Sequence, residues 1–278
     1  MRRLERLGII GAGAIAALLM ETLAKSLPKP LDRLDLLCTA RGSAAARALG
    51  DAYRGSIADE IEIHTDLAAM LARRLELVAE CASHQAIRDH GRAILAAGAD
   101  LAAVSTGALA DDALLASLSA AAESSGAQLI LCPGALGGLD ILSAARLSGI
   151  KSLTYTSRKP PAAWRGTKAE ALLELDTLRE AKIFFEGPAR QAAGDYPKNA
   201  NVAATAALGG PGFDKALVRL IADPLVSANI HEFELRSGAA NVSIRIEGRS
   251  LAANPKTSAA TAYALARLVL NRVLPVVI

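Results

Sequence analysis

Apolar residues along the first half of the chain recur in two rhythms. Short apolar runs appear as LGII (7–10), LDLLC (34–38), LELVAECAS (75–83), DLAAVSTGAL (100–109) and AQLILC (127–132). Between them lie stretches with apolar residues at helical spacing. These are AALLMETLAK, the Ala-rich stretch after ARGS, HQAIRDHGRAILAAG (84–98) and DDALLASLSAAAESSG (111–126). The runs predict buried strands, and the stretches predict helices of about 10 to 15 residues. Such alternation builds a parallel sheet with helices packed on its faces.

Beyond residue 150 the rhythm changes. KSLTYTSRKPP (151–161), AKIFFEG (181–187), HEFELRSG (231–238) and NVSIRIEGRSL (241–251) carry polar alternation, as in a sheet with one exposed face. NVAATAALGG (201–210), FDKALVRLIADP (213–224) and the apolar stretch 259–274 read as helices. The predicted fold is therefore α/β. A Rossmann-type doubly wound parallel sheet spans 1–133. A second α/β (α+β) domain spans 134–254.

Composition narrows the class. Of 278 residues 52% are hydrophobic but only 3% aromatic, so Ala, Leu, Val and Ile must build the core. Lys plus Arg number 31 against 28 Asp plus Glu, interspersed, which gives no basic stripe for nucleic acid. Cys38, Cys81 and Cys132 form no CxxC pair and point to a reducing, cytoplasmic setting. The four histidines form no ligand cluster, so no metal is expected. No later segment approaches the roughly 20 apolar residues of a membrane span. Arg2, Arg3 and Arg6 before the uncharged run Leu7–Met20 resemble a secretory leader. However, Gly8, Gly11 and Gly13 would cost a helix about 1 kcal/mol each, and a doubly wound sheet needs its first strand. Strand, turn and helix is the better reading.

Gly11-Ala12-Gly13-Ala14-Ile15-Ala16 then stands as G-x-G-x-x-A between that strand and helix. The first glycine permits the tight turn, the second admits a diphosphate to the backbone, and the final Ala allows close packing. Gly11, Gly13, Ala14 and Ile15 are thus candidate contacts to a dinucleotide. An acid ending the second strand would bind the ribose 2′-hydroxyl of NAD. Cys38-Thr39-Ala40 offers none, and Arg41 follows, either as a solvated loop residue or as a partner for a 2′-phosphate. The expected cofactor is NAD or NADP, with NADP accepted at least as well. Ligands of such sheets lie beyond the carboxyl ends of the strands. Ser83-His84, Ser105-Thr106-Gly107 and Pro133-Gly134-Ala135 occupy those places and are candidates for the ribose and nicotinamide wall. His84 reads equally well as a neighbour of a helix cap.

Two polar clusters lie in the second half. In Tyr196-Pro197-Lys198-Asn199-Ala200-Asn201 the asparagines are either helix caps or partners for a carboxamide or carboxylate. Asn254-Pro255-Lys256-Thr257-Ser258 reads as an N-cap and first turn of the last helix, with Lys256 making it either an anion site or a capped surface turn. His231, the one imidazole outside the nucleotide half, is structural or catalytic. Cys132 is a rival nucleophile or a buried free thiol.

Together with GIIGAGAIA, STGALAD, CPGALGGLDILSAA, TSRKPPAAW, FEGPARQAAGDYPKNANVAATAALGG, IHEFEL and NPKTS, these residues resemble the L-aspartate dehydrogenase family of the NAD-biosynthesis type. The resemblance covers essentially the whole chain. It implies a dinucleotide domain completed by the C-terminal helix, 255–278, with an inserted substrate domain that forms a homodimer contact. It further implies Ala135 and Asn201 as cofactor contacts and His231 as the catalytic residue. The implied reaction oxidises L-aspartate to iminoaspartate, which either feeds NAD synthesis or is hydrolysed to oxaloacetate and ammonia. Local chemistry makes Lys198, Asn199, Lys256 and Thr257 candidates for the two substrate carboxylates. The chain departs from the family where an acid before Arg is replaced by Ala40-Arg41. Rival readings are a related dehydrogenase or reductase (homoserine, semialdehyde or cyclic imine) and a non-catalytic NAD(P)-sensing regulator.

Overall fold

The computed structural model describes residues 4–251 and 254–277; at Lys198 and at residues 254–257 the description covers the backbone alone. The chain divides into two compact units, Met1–Cys132 with Thr261–Ile278, and Pro133–Ala260.

The first unit runs β1 (Arg6–Ile10), α1 (Ala14–Ser26), β2 (Leu31–Leu37), α2 (Ser43–Tyr53), β3 (Ala58–His64), α3 (Leu67–Leu71), β4 (Leu77–Glu80), α4 (His84–Ala96), β5 (Asp100–Ala103), α5 (Asp112–Ser125) and β6 (Leu129–Leu131). The strands bond in the order β3-β2-β1-β4-β5-β6, all parallel. Leu7, Ile9, Leu34, Leu36, Val78 and Ala79 are wholly buried. Helices cover both faces of the sheet, which is why these strands read as unbroken apolar runs. Caps fix where helices begin: Ser83 Oγ accepts from Ala86 N–H, and Asp111 accepts from Ala113 and Leu114 N–H. The strand order reverses between β1 and β4, so the loops that follow them flank a crevice.

The second unit begins with α6 (Leu139–Ala145) and β7 (Ile150–Lys159). It continues with β8 (Lys182–Pro188), α7 (Ala189–Asp195), α8 (Asn201–Gly209), β9 (Ala216–Ala222), β10 (Asn229–Ser237) and β11 (Asn241–Gly248). Its five-stranded sheet has the order β11-β10-β7-β9-β8, antiparallel except for the parallel pair β7 and β9. A small ladder of β12 (Ser250–Leu251) and β13 (Asn254–Ser258) precedes α9 (Ala259–Leu270). In the first unit, Leu265, Ala266 and Val269 of α9 are part of the hydrophobic core.

Two sequence expectations fail here. The stretch 213–224 is not a helix; its centre is β9, bonded on both sides by β7 and β8. A short apolar run fits either element by periodicity, and two waiting partner strands decide it. The other failure is NPKTS, which is extended as β13 and opens no helix; α9 starts at Ala259. A residue before proline is pushed towards extended backbone, and Ser258 and Asn254 pair with Ser250 and Leu251.

Candidate active site

The glycine turn joins β1 to α1. Gly11 N–H donates to Leu37 O at 2.9 Å, and its φ of +106° is a conformation that L side chains rarely adopt. A Cβ there would meet Cys81 O and Ala82 Cβ at 3.2 Å. Gly13 stands at the head of α1 in extended backbone, and a Cβ there would meet no protein atom within 4 Å. The turn therefore leaves open space at the helix N-terminus, beside a cleft of about 520 Å³. Gly11, Ala12 and Gly13 line it with Cys38, Thr39, Ala82, Ser83 and His90. A diphosphate fits this cradle: backbone approaches it closely, no side chain fills it, and the helix end favours negative charge.

A second constellation lies wholly in the other unit. Tyr155, Ser157 and Lys159 alternate along β7 and so share one face, and His231 on β10 is in register with Ser157. All four are buried. Tyr155 Oη lies 2.7 Å from His231 Nδ1. With Nδ1 engaged by Tyr155, Nε2 is the ring nitrogen left to exchange a proton with a substrate. Burial, and secondarily the Lys159 charge, push the His231 pKa down to about 4. Burial likewise pushes Lys159 down to about 8. Lys159 Nζ donates to Asn199 Oδ1 at 2.6 Å and lies 5.0 Å from the centroid of the Trp164 ring.

Comparison with known proteins matches both units. Residues 11–131 fit the family model described as "Homoserine dehydrogenase, NAD binding domain", and residues 140–272 fit "Aspartate dehydrogenase, C-terminal". The chain is 42% identical to an L-aspartate dehydrogenase of Pseudomonas aeruginosa across 95% of its length and 96% of that protein's. It is 41% identical to that of Ralstonia nicotianae over the same shares. The chain belongs to the L-aspartate dehydrogenase family. Among solved structures, an aspartate dehydrogenase of Thermotoga maritima superposes with a TM-score of 0.74 at 26% identity, covering both chains completely. An amine dehydrogenase of Mycobacterium smegmatis shares the fold at a TM-score of 0.52 and 13% identity, over 97% of this chain and 92% of that one. The cofactor class for this family member is a pyridine nucleotide.

Within this family member the sequence candidates fall unevenly. Gly11, Gly13 and Ser83 line the cleft beside the glycine turn, and Ala14 and Ile15 begin α1 behind the turn. Arg41 is exposed on the turn Ala40–Gly42, next to the lining residues Thr39 and Gly42. Ser105 gives both its N–H and its hydroxyl to buried Glu80, at 2.9 and 2.8 Å. Glu80 also accepts from the N–H groups of Ala82 and Ser83. One carboxylate thus ties together the loops after β4 and β5. Thr106 and Gly107 are buried in the short helical turn beyond Ser105. In the second unit Ala135 is buried, and Asn201 is the half-buried first residue of α8. Asn199 meets Lys159. The side chains of Lys198, Lys256 and Thr257 lie outside the described residues. Cys132 is a core residue, 1% exposed, with a thiol that contacts Thr261 O at 3.9 Å.

Sequence reading missed Glu80, Tyr155 and Lys159. A period-two reading of TYTSRK was the available signal, since it places positions 155, 157 and 159 on one face. Nothing in the sequence set that face beside position 231. Among the described residues, Asp35, Glu62 and His64 have ligand types suited to a metal. Their charge is already met: His64 Nε2 lies 2.6 Å from Asp35 Oδ1, and Arg73 reaches Glu62 at 3.1 Å.

Proposed function

We propose that this chain is an NAD(P)-dependent L-aspartate dehydrogenase and that His231 is its proton-transfer residue. The observation that carries the reading is the buried His231 imidazole, with Tyr155 on Nδ1 and Lys159 close by, in a chain that also holds a diphosphate cradle.

The bound nicotinamide supplies the hydride acceptor. Neutral His231 takes a proton from the substrate ammonium, which frees the nitrogen lone pair to form C=N as the Cα hydride leaves. L-aspartate and oxidised cofactor thus yield iminoaspartate, reduced cofactor and one proton. In hydrolysis the same imidazole deprotonates the attacking water and returns the proton to the leaving nitrogen, giving oxaloacetate and ammonia. Such proton transfers are typically worth about 10² to 10⁴ in rate. Gly11, Gly13, Ala14, Ile15 and Ser83 serve the cofactor in this reading, with Ser105, Thr106, Gly107, Ala135 and Asn201 shaping its ribose and nicotinamide end. Asn199, Lys198, Lys256 and Thr257 serve the substrate carboxylates. Ala40-Arg41 in place of an acid supports acceptance of NADP at least as well as NAD. The assembly is a homodimer through the second unit, working in the cytoplasm.

The test is reduction of NAD⁺ and NADP⁺ followed at 340 nm with a panel of amino acids, and the reverse reaction with oxaloacetate and ammonia. L-aspartate should be the preferred substrate, and His231→Ala should lower kcat at least a hundredfold while cofactor affinity holds. Tight cofactor binding without aspartate turnover would instead identify a sensor.

A further inference from the structure

Among the described residues, Lys159 is a cation with no anion beside it. Its ammonium is buried on β7, and its partners among the described residues are a neutral amide oxygen and an aromatic face. Both partners are themselves fixed. Trp164 Nε1 donates to Ile221 O at 3.0 Å, and Phe184 packs edge-on against the ring at 4.7 Å between centroids. Asn199 sits in the short turn Pro197–Asn199, bonded through its N–H to Tyr196 O. The nearby carboxylate, Asp223, is engaged elsewhere and accepts from Arg158 at 2.7 Å. Arg158 alternates with Lys159 and so belongs to the other face of β7. Burying an ammonium without a counter-charge is unfavourable, and an anion from outside would relieve that cost.

Resting on the dehydrogenase reading, we propose that Lys159 receives one carboxylate of the dicarboxylate substrate, and that filling this site turns the neighbouring His231 into a proton acceptor. An ammonium presents N–H donors that a carboxylate oxygen accepts, and Asn199 holds one of them, aiming the rest. Coupling to His231 follows from charge. Lys159 is the charged group that acts on the imidazole from β7, where Tyr155 is the other titratable neighbour; the register neighbour on β11 is Ile246. An empty site leaves a bare positive charge that opposes protonation of His231. A bound carboxylate cancels that charge, so the imidazole gains proton affinity only when the correct substrate is present.

The test compares wild type with Lys159→Met, a substitution of similar length that removes the charge. A charge-assisted hydrogen bond of this kind is worth about 10- to 100-fold in binding. KM for L-aspartate should therefore rise at least tenfold in Lys159→Met while the cofactor dissociation constant stays within twofold. A second measurement needs no turnover. In ¹⁵N-histidine-labelled wild type, the His231 resonance (assigned by its loss in His231→Gln) is titrated with and without saturating succinate, a dicarboxylate lacking the amine. Succinate should raise the His231 pKa by about one unit or more in the wild type and leave it unmoved in Lys159→Met. An unchanged KM, or a wild-type titration insensitive to succinate, overturns the proposal. Absent aspartate turnover alongside a succinate-sensitive His231 would refute the dehydrogenase reading and leave the carboxylate site standing.

Discussion

Tyr155 Oη and His231 Nδ1 are 2.7 Å apart across the β7–β10 pair, buried in the second unit. This contact fixes the orientation of the imidazole and occupies Nδ1. In Tyr155→Phe, Nδ1 loses its partner and either nitrogen can carry the proton. The expected result is a fall in kcat of about tenfold or more, with KM for the cofactor unchanged. Steady-state kinetics checks it, and the variant should lose about 1–3 kcal/mol of stability for the unsatisfied buried nitrogen.

The two glycines of the turn should separate stability from binding. At Gly13 an added methyl meets only open space, so Gly13→Ala should keep its Tm without cofactor but weaken nucleotide binding at least tenfold. At Gly11 the backbone has φ +106° and an added Cβ presses on Cys81 O and Ala82. Gly11→Ala should therefore lower the Tm of the free protein as well. Thermal melts paired with cofactor titration by calorimetry distinguish the two.

His231 also makes stability depend on pH. Its pKa is pushed from 6.5 to about 4 on folding, so between those values the unfolded chain binds a proton that the folded chain does not. Stability from this group is fully present above 6.5 and is lost as pH falls towards 4, by at most about 3 kcal/mol. Other groups titrate in the same range, so the informative quantity is a difference. Urea unfolding at pH 7.5 and 4.5 should show His231→Gln losing about 2–3 kcal/mol less than wild type.

The proposed cofactor choice is tested at the turn after β2, where Thr39 and Gly42 line the cleft and no acid follows the strand. Ala40→Asp introduces a carboxylate that repels a 2′-phosphate and accepts from a 2′-hydroxyl. The ratio of kcat/KM for NADP to that for NAD should fall at least tenfold. An unchanged ratio would show that this turn does not read the ribose.

Periodicity made much of the fold legible. Buried parallel strands announce themselves as continuous apolar runs, and the glycine fingerprint lies at its proper place between β1 and α1. β9 escaped because seven residues, ALVRLIA, satisfy helix and strand equally until β7 and β8 flank them. NPKTS escaped because a cap motif describes only what its own residues permit, and the partner strand Ser250–Leu251 imposed something else.

The sequence by itself determined most element types of the first unit, β3 and α3 excepted, the place of the glycine turn and the family signature, because each depends on neighbours a few residues apart. Tertiary structure alone decided that Glu80 would bind the loops after β4 and β5 together, and that His231 would share a buried face with Tyr155 and Lys159. Glu80 and Ser105 are 25 positions apart, and Tyr155 and His231 are 76. Their charges and proton affinities come from desolvation and from one another, and neither exists until the sheet brings them side by side.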